Sequence, residues 1–516
     1  MALVLTVRNL TSTSLSIKRI ERFQDLNTLQ SKNSGYFSSF ANTGTSSAFP
    51  TSPELSEHAQ RFTHQDLELT LRPFESCTLA SQEQASEQNA LAISRATLRL
   101  TLETSIGERY RVDTHPSYTR KSSHAVTPLS SNPSASYSAL FHPSRPRPHL
   151  TIHSNDEIKY EAWMADVPDT VPLSALSIPG THNSHTHYRA LPSVRCQNVD
   201  VQTQLENGIR FLDIRLQPAH FTDTAEKVLY LVHGAFPVSL TGPKTFEPVL
   251  ETCYDFLSAH PTETIILSLK REGIATASDE HVAHILDQHY ITPNPSKWYT
   301  SPRLPHLGAA RGKLILLRRY KVSSPSDTTG LDATAWPHNV THATFPPPFT
   351  STPSQFCLQD FCQVLVPDLI ADKIQHCNDH LVHAAECIHH IPATVHADPE
   401  HPVTPGPLYL NFLSASNFWK KSCWPARIAK VVNRRVEEWI CEGHHLERGG
   451  VSTGEAGEGV RRVKGGDGGT GVVVMDCVGE GGDWDLVRLV VGLNMGILMK
   501  ARGVEWSGDD GSCSQS

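Results

Sequence analysis

The sequence predicts an α/β barrel preceded by an all-β domain of sandwich type, and three observations carry that prediction. Beyond residue 158, short and nearly continuous apolar runs alternate with helical stretches, the pattern of parallel strands buried on both faces. Before residue 141, apolar residues recur at every second position in short segments, the mark of strands covered on one face. Finally, seven of the later apolar runs end in an ionisable or amide side chain, on the face where a barrel of parallel strands gathers its reactive groups.

The N-terminal segments "LVLTVRN", "LSIKRI", "LELTLRPF", "ATLRLTLE" and "RYRVD" supply the alternation and are separated by Ser, Thr, Asn and Gly. They predict an antiparallel sandwich over 1–141, with a polar loop or disordered insert between Leu29 and Pro53. The stretch "HPSRPRPHL" opens a proline-rich segment, 142–157, that reads as an extended interdomain linker.

The second domain, 158–505, carries the runs "LSALSIPG", "IRFLDIRL", "VLYLVHG", "TIILSLKRE", "KLILLRRY", "LYLNFLSA" and "VVVMDCV". Helical stretches over Phe246 to Ala259 and Pro425 to Cys441 lie between some of them. The glycine-rich run 448–471 lacks the GxxxxGK[ST] spacing of a phosphate loop and precedes a strand, so it reads as a flexible insert. The last residues, 506–516, read as a disordered tail.

Composition narrows the function. A net charge of −8 with no basic stripe argues against a nucleic-acid partner. Eleven scattered cysteines without a CxxC pair suit reduced thiols better than a disulfide framework. The N-terminus shows no signal peptide, and no window has the roughly 18 uncharged apolar residues of a membrane span. These readings predict an intracellular protein, soluble or peripherally attached to membranes. No feature sets an oligomeric state.

The residues at the strand ends are His182 and Asn183, Asp213 and Arg215, His233, Lys270 and Glu272, Arg318 and Arg319, Asn411 and Ser414, and Asp476. Two histidines, an aspartate and several cations together suit an anionic phosphate ester: one imidazole as base, one as acid, a carboxylate to orient the base, and Arg to neutralise charge on phosphorus. His185 and His187, close behind His182 in "SIPGTHNSHTH", are spaced too tightly for all three rings to converge on zinc.

From Trp163 to about Asn494 the chain resembles the catalytic X domain of the phosphatidylinositol-specific phospholipases C, and the bacterial branch more than the calcium-dependent signalling branch. The resemblance runs through "WMADVPDTVPLSALSIPGTHNS", "QLENGIRFLDIRL", "LYLVHG", "FLSAHPTETIILSLKRE", "LGAARGKLILLRRY", "AWP", "LQDF", "LYLNFLSASN" and "VVVMD", in order. It implies an irregular TIM-type barrel and cleavage of a phosphoinositide to diacylglycerol and a cyclic inositol phosphate. It implies His182 as general base, Asp476 as its carboxylate partner, His233 as general acid and Arg215 as the cation on the phosphate, with Asn183 and Asp213 completing the catalytic set. Lys270, Arg319 and Asp360 match positions lining the inositol pocket. The calcium-dependent branch has acidic ligands at the positions of Asp213, Arg215 and Lys270; cations at two of these oppose a divalent ion, so no metal or other cofactor is expected.

Two departures stand out. Bacterial relatives have Asp where this chain has Asn183, which removes a charge that supports the acid, and Cys362 stands where they place an inositol-stacking tyrosine. These motivate an alternative, a lipid- or phosphate-binding protein with a degenerate site. A metal-dependent glycerophosphodiesterase is disfavoured because Arg215 and Lys270 stand where its acidic cluster would be. The segment "SNFWKKSCW", with Phe418, Trp419, Lys420, Lys421 and Trp424, has the aromatic and basic mixture of a membrane-interface contact.

Overall fold

A computed structural model describes residues 4–24, 55, 59–80, 97–114, 123–143, 148–223, 225–274, 277–322, 330–345, 355–391, 406–447, 452–453 and 459–503. The expected loop between Leu29 and Pro53 and the expected tail at 506–516 lie outside them. By their contacts the residues fall into two units, 1–158 with 440–464 and 507–516, and 159–439 with 465–506.

The first unit holds two sheets. In one, Gln60–Leu71, Leu15–Gln24, Thr97–Thr104, Arg109–Thr114 and Thr127–Pro128 follow one another. In the other, the order is Ser452–Thr453, Gly459–Arg461, Ser76–Ala80, Val4–Leu10, His149–His153, Ser138–His142 and His124–Ala125. Alternation works as the sequence suggests: in Thr97–Thr104 every second side chain from Leu98 on is buried, and Leu98, Leu100 and Leu102 join one apolar core with Leu5, Val7, Leu150 and Ile152 from the other sheet.

Three features of this unit differ from the sequence reading. Val4–Leu10 pairs in parallel with His149–His153, so the second sheet is mixed. The segment read as a linker at 142–157 therefore contains a buried strand, whose "HLTIH" contributes Leu150 and Ile152 to the core. Proline marks its approach, and the apolar alternation after it was too short to stand out. The described part of the glycine-rich run is likewise structured: Gly459–Arg461 pairs with Ser76–Thr78. The buried Arg8 guanidinium adds a second tie, donating to the carbonyls of Ile440, at 2.8 Å, and His444.

The second unit is α/β, built on one strongly curved sheet. Its path runs Trp298–Tyr299, Leu314–Arg318, Ile265–Arg271, Phe211–Pro218, Ile178–Thr181, Val472–Met475, Leu408–Phe412, Phe356–Gln359 and Ala343–Phe345. All neighbours are parallel except the last pair. The two ends of this path do not pair among the described residues. Leu229–His233 is an exception to the parallel reading: it pairs antiparallel with the end of Phe211–Pro218, and so brings His233 to the site on a ribbon.

Register explains how distant residues meet. The last strand, Val472–Met475, lies beside the first, Ile178–Thr181, with Thr181 opposite Met475. His182 and Asp476, each next in sequence, are thereby neighbours. Arg215 pairs with Lys270 across the next interface but one. Gly180 permits the close approach here, since a Cβ on it would lie 2.8 Å from the Cβ of Phe211.

The opposite end of the sheet is closed by a buried ion pair. Arg210 and Glu263, both without solvent exposure, precede their strands and bond at 2.9 Å. Arg210 also donates to the carbonyls of Leu205, Ile209, Tyr160 and Glu161, and Glu263 accepts the Met164 N–H. Removing one partner strands a buried charge, so Glu263→Ala is expected to lower unfolding free energy by about 3 kcal/mol or more in urea titrations. A change below about 1 kcal/mol would show that the pair does not hold this end.

Candidate active site

A cavity of about 420 Å³ opens at the C-terminal end of the curved sheet. His182, Asn183, Arg215, His233, Lys270, Arg319 and Asp360, seven of the nine residues expected in the catalytic set and the inositol pocket, line it. The other two, Asp213 and Asp476, are buried behind it and bond to members of its wall.

The base candidate is fixed from several sides. His182 Nδ1 lies 2.8 Å from Asp476 Oδ1, which makes Nδ1 the protonated nitrogen and leaves the lone pair on Nε2. The side chain of Gln197 bonds the carbonyls of His182 and Met475, tying the two strand ends together. Asn183 takes a left-handed backbone, φ 43°, which Asn tolerates better than most residues. Its Nδ2 lies 3.1 Å from His182 Nε2 and its Oδ1 is buried without a partner among the described residues.

His233 stands with its ring centre 6.1 Å from that of His182, nearly perpendicular to it. Its Nδ1 donates to the Val194 carbonyl at 2.7 Å, so Nε2 is the nitrogen that gains or loses a proton. Burial, followed by the charge of a protonated His182, pushes the His233 pKa down. Cys196 Sγ touches both this ring and the Asn183 amide, at 3.8 and 3.7 Å.

The cations are arranged around two carboxylates. Arg215 grips Asp213 through Nε at 3.0 Å and a terminal nitrogen at 2.6 Å, and sends its other terminal nitrogen to Glu272. Arg319 reaches Asp213 at 3.3 Å, and Lys270 reaches Glu272 at 2.9 Å. Burial pushes the Asp213 carboxyl up, but Arg215 and Arg319 overcome it and hold it at about 2. Glu272 behaves alike: burial raises it, and Arg215 and Lys270 hold it well below the usual range. The Arg319 guanidinium lies over Trp336, 3.7 Å from the ring centre, and Trp336 Nε1 donates to Asp360 at 3.0 Å.

Sequence reasoning underused two of these residues. Glu272 was noted at its strand end but given no role, although it follows Lys270 by two positions and so shares its face. Trp336 lay in the matched "AWP" stretch without a role. Other strand-end residues turn away from the cavity. Arg318 bonds Asp332 at 2.6 Å in the core, and Asn411 bonds Gln359 and the Cys377 carbonyl. Ser414 and Cys362 do line the cavity.

Calcium does not fit this donor set. Asp213 and Glu272 are already committed to Arg215, Arg319 and Lys270, so a divalent ion would face three fixed positive charges. His185, the next histidine along, is buried on the Val232 carbonyl at 3.0 Å, and His187 packs on Tyr188. The three histidines therefore do not converge.

Comparison with known proteins finds similarity to one family over part of the chain. Residues 170–320 match the model of the phosphatidylinositol-specific phospholipase C X domain. The chain is 34% identical over 181 residues to a 1-phosphatidylinositol phosphodiesterase of Listeria monocytogenes, covering 33% of this chain and 52% of the relative. It is 27% identical over 209 residues to a Staphylococcus aureus protein of the same name, covering 38% and 63%. A human PI-PLC X domain-containing protein 1 is 30% identical over 154 residues, covering 24% and 46%. The chain thus spans about half to three-fifths of the length of the curated relatives it matches. Among solved structures, a phosphatidylinositol-specific phospholipase C from S. aureus aligns with 65% of this chain and 97% of its own, at 19% identity and a TM-score of 0.47.

The Asp213 network has a stability consequence. Asp213→Asn leaves Arg215 and Arg319 short of a buried counter-charge and is expected to lower stability at neutral pH by about 3 kcal/mol. Because the folded carboxyl is held at about 2, against about 3.9 unfolded, the native contribution persists above pH 4 and fades as pH falls toward 2. Urea titrations at pH 7 and pH 3 measure both; an equal deficit at the two values contradicts the assignment.

Proposed function

We propose, taking residues 170–320 as a member of the phosphatidylinositol-specific phospholipase C X-domain family, that this chain is a phosphoric diester hydrolase. Its substrate is a phosphoinositide, cleaved to diacylglycerol and a cyclic inositol phosphate. The observation that carries this reading is the placement of two imidazoles, one backed by a buried carboxylate, and of Arg215 on the wall of one cavity. On this reading the curved sheet is an irregular TIM-type barrel, and the β-rich unit before it a sandwich.

His182 Nε2 takes the proton of the inositol 2-hydroxyl, whose oxygen attacks phosphorus, and Asp476 stabilises the imidazolium that forms. To reach Nε2 the hydroxyl displaces the Asn183 amide, which occupies that lone pair. Arg215 neutralises the non-bridging oxygens; Asp213 fixes two of its nitrogens, and the third, on Glu272, is free to be shared with phosphate. His233 Nε2 protonates the departing glycerol oxygen. Lys270, Arg319 and Asp360 hold the inositol hydroxyls, with Trp336 beneath Arg319.

His182→Ala and His233→Ala are each expected to lower kcat about 10²- to 10⁴-fold on phosphatidylinositol vesicles, with a calcium chelator leaving the wild type unchanged. Loss on chelation with recovery on calcium contradicts metal independence. Asn183 gives the second reading its one specific support, since its amide blocks the base. Saturable phosphoinositide binding without turnover would decide for a binding protein.

Membrane contact is assigned to the segment after Leu408–Phe412. Trp419 is 89% exposed beside the exposed Lys420 and Lys421, while Phe418 stacks on Phe236 and Trp424 donates to the Phe418 carbonyl. Leu365 and Val366 are exposed nearby, with Asn417 bonded to the Leu365 carbonyl. Among the described residues no helix is long and apolar enough to cross a membrane, and on this reading the segment is the contact by which an intracellular protein attaches peripherally. Trp419→Ala is expected to weaken sedimentation with phospholipid vesicles about tenfold. Unchanged binding would remove this segment from the interface.

A further inference from the structure

A second cluster of ligating side chains lies outside the cavity and has no part in the chemistry above. His342 precedes the strand Ala343–Phe345, Cys357 lies on its antiparallel neighbour Phe356–Gln359, and His380 is on the helix Leu369–Ala385. Thr344 pairs with Cys357, and His342 lies two positions along on the same face. One nitrogen or sulfur from each of the three lies within 4.8 Å of the others. Cys357 Sγ is 3.6 Å from His342 Nε2. Two ligands on a tetrahedral zinc ion, at about 2.1 Å for nitrogen and 2.3 Å for sulfur, stand about 3.5 Å apart, so this pair already has the required separation.

The burial of His380 is a second, independent sign. Its side chain is 1% exposed, and the one hydrogen-bond partner its ring has among the described residues is the backbone of Cys357. An imidazole bonded to the backbone through one nitrogen keeps the other for a ligand not drawn from the chain. Cys357 is buried too, whereas His342 is exposed. His383, one helical turn beyond His380, brings its ring to 4.7 Å from that of His342.

We propose that His342, Cys357 and His380 bind a zinc-class divalent ion, with His383 as the fourth ligand. Two or more imidazoles with one thiolate suit zinc or its spectroscopic substitute cobalt, and exclude calcium and magnesium, which take oxygen. Four protein ligands make the site structural, pinning the strand pair to the helix. None of the four lines the reactive cavity, so the ion is separate from catalysis.

The full chain, made without a polyhistidine tag and stripped by chelator, is dialysed against zinc and assayed by elemental analysis; one ion per chain is expected. Cobalt loading is expected to give a thiolate-to-metal absorption band that Cys357→Ser abolishes. His342→Ala, an exposed change that leaves the fold intact, is expected to weaken zinc affinity at least 10-fold in competition with a chromogenic chelator. Failure to retain zinc at micromolar concentrations overturns the proposal. So does zinc that persists in His342→Ala but is lost in Cys196→Ser, since it would belong to the cluster of His182, Cys196 and Asp476.

Discussion

Asp213 has no solvent exposure, and an ionised carboxylate there is tolerable only because Arg215 and Arg319 converge on it and the Asn183 N–H points at it. That one buried charge fixes the rest of the site. It orients Arg215 so that a single terminal nitrogen is left for Glu272 and the cavity, and it draws Arg319 onto Trp336. Ser184, two residues past the base, is held to the same strand by bonds in both directions with Asp213. The charge of the cavity therefore rests on one carboxylate, and the turn after His182 is held by that carboxylate at the Asn183 N–H and by the Asp213 backbone at Ser184.

The two ends of the curved sheet solve the problem of buried charge differently. At the N-terminal end, Arg210 and Glu263 satisfy each other and a ring of carbonyls, leaving no donor for a ligand. At the C-terminal end, three cations share Asp213 and Glu272, with Asp360 held by Trp336, and the cluster opens on the cavity. The first arrangement holds structure, and the second keeps positive charge available to an anion.

How much of this was legible in the sequence depended on distance along the chain. Strands such as Phe211–Pro218 and Ile265–Arg271 were plain, because parallel strands buried on both faces must be apolar almost throughout. Polar residues interrupting them at their ends were equally plain, and eight of the twelve named line one cavity. What was hidden depended on partners. Nothing local in "HLTIH" says that it pairs in parallel with Val4–Leu10, nor in "GVR" that it joins Ser76–Ala80. Arg318 and Arg319 are alike in sequence, yet alternation sends one to Asp332 in the core and the other to the cavity. The partners of Glu272 and Trp336 are visible only once the strands are assembled.

Asn183 is where the site departs most from what its chemistry asks. An imidazole that must donate a proton is helped by a nearby anion, and His233 instead is buried beside another imidazole that pushes its pKa down. The carboxylate of Glu272 is shared among Arg215, Lys270 and the Gly234 N–H, and its upward pull on the His233 pKa is outweighed by burial and by His182. The pH dependence of kcat/KM, which reports the free enzyme, tests this most directly. A basic limb below the ordinary imidazole value of about 6.5 is expected, moving upward in Asn183→Asp as the added carboxylate supports the protonated acid. A basic limb at or above that value in the wild type, unmoved by the substitution, would contradict it.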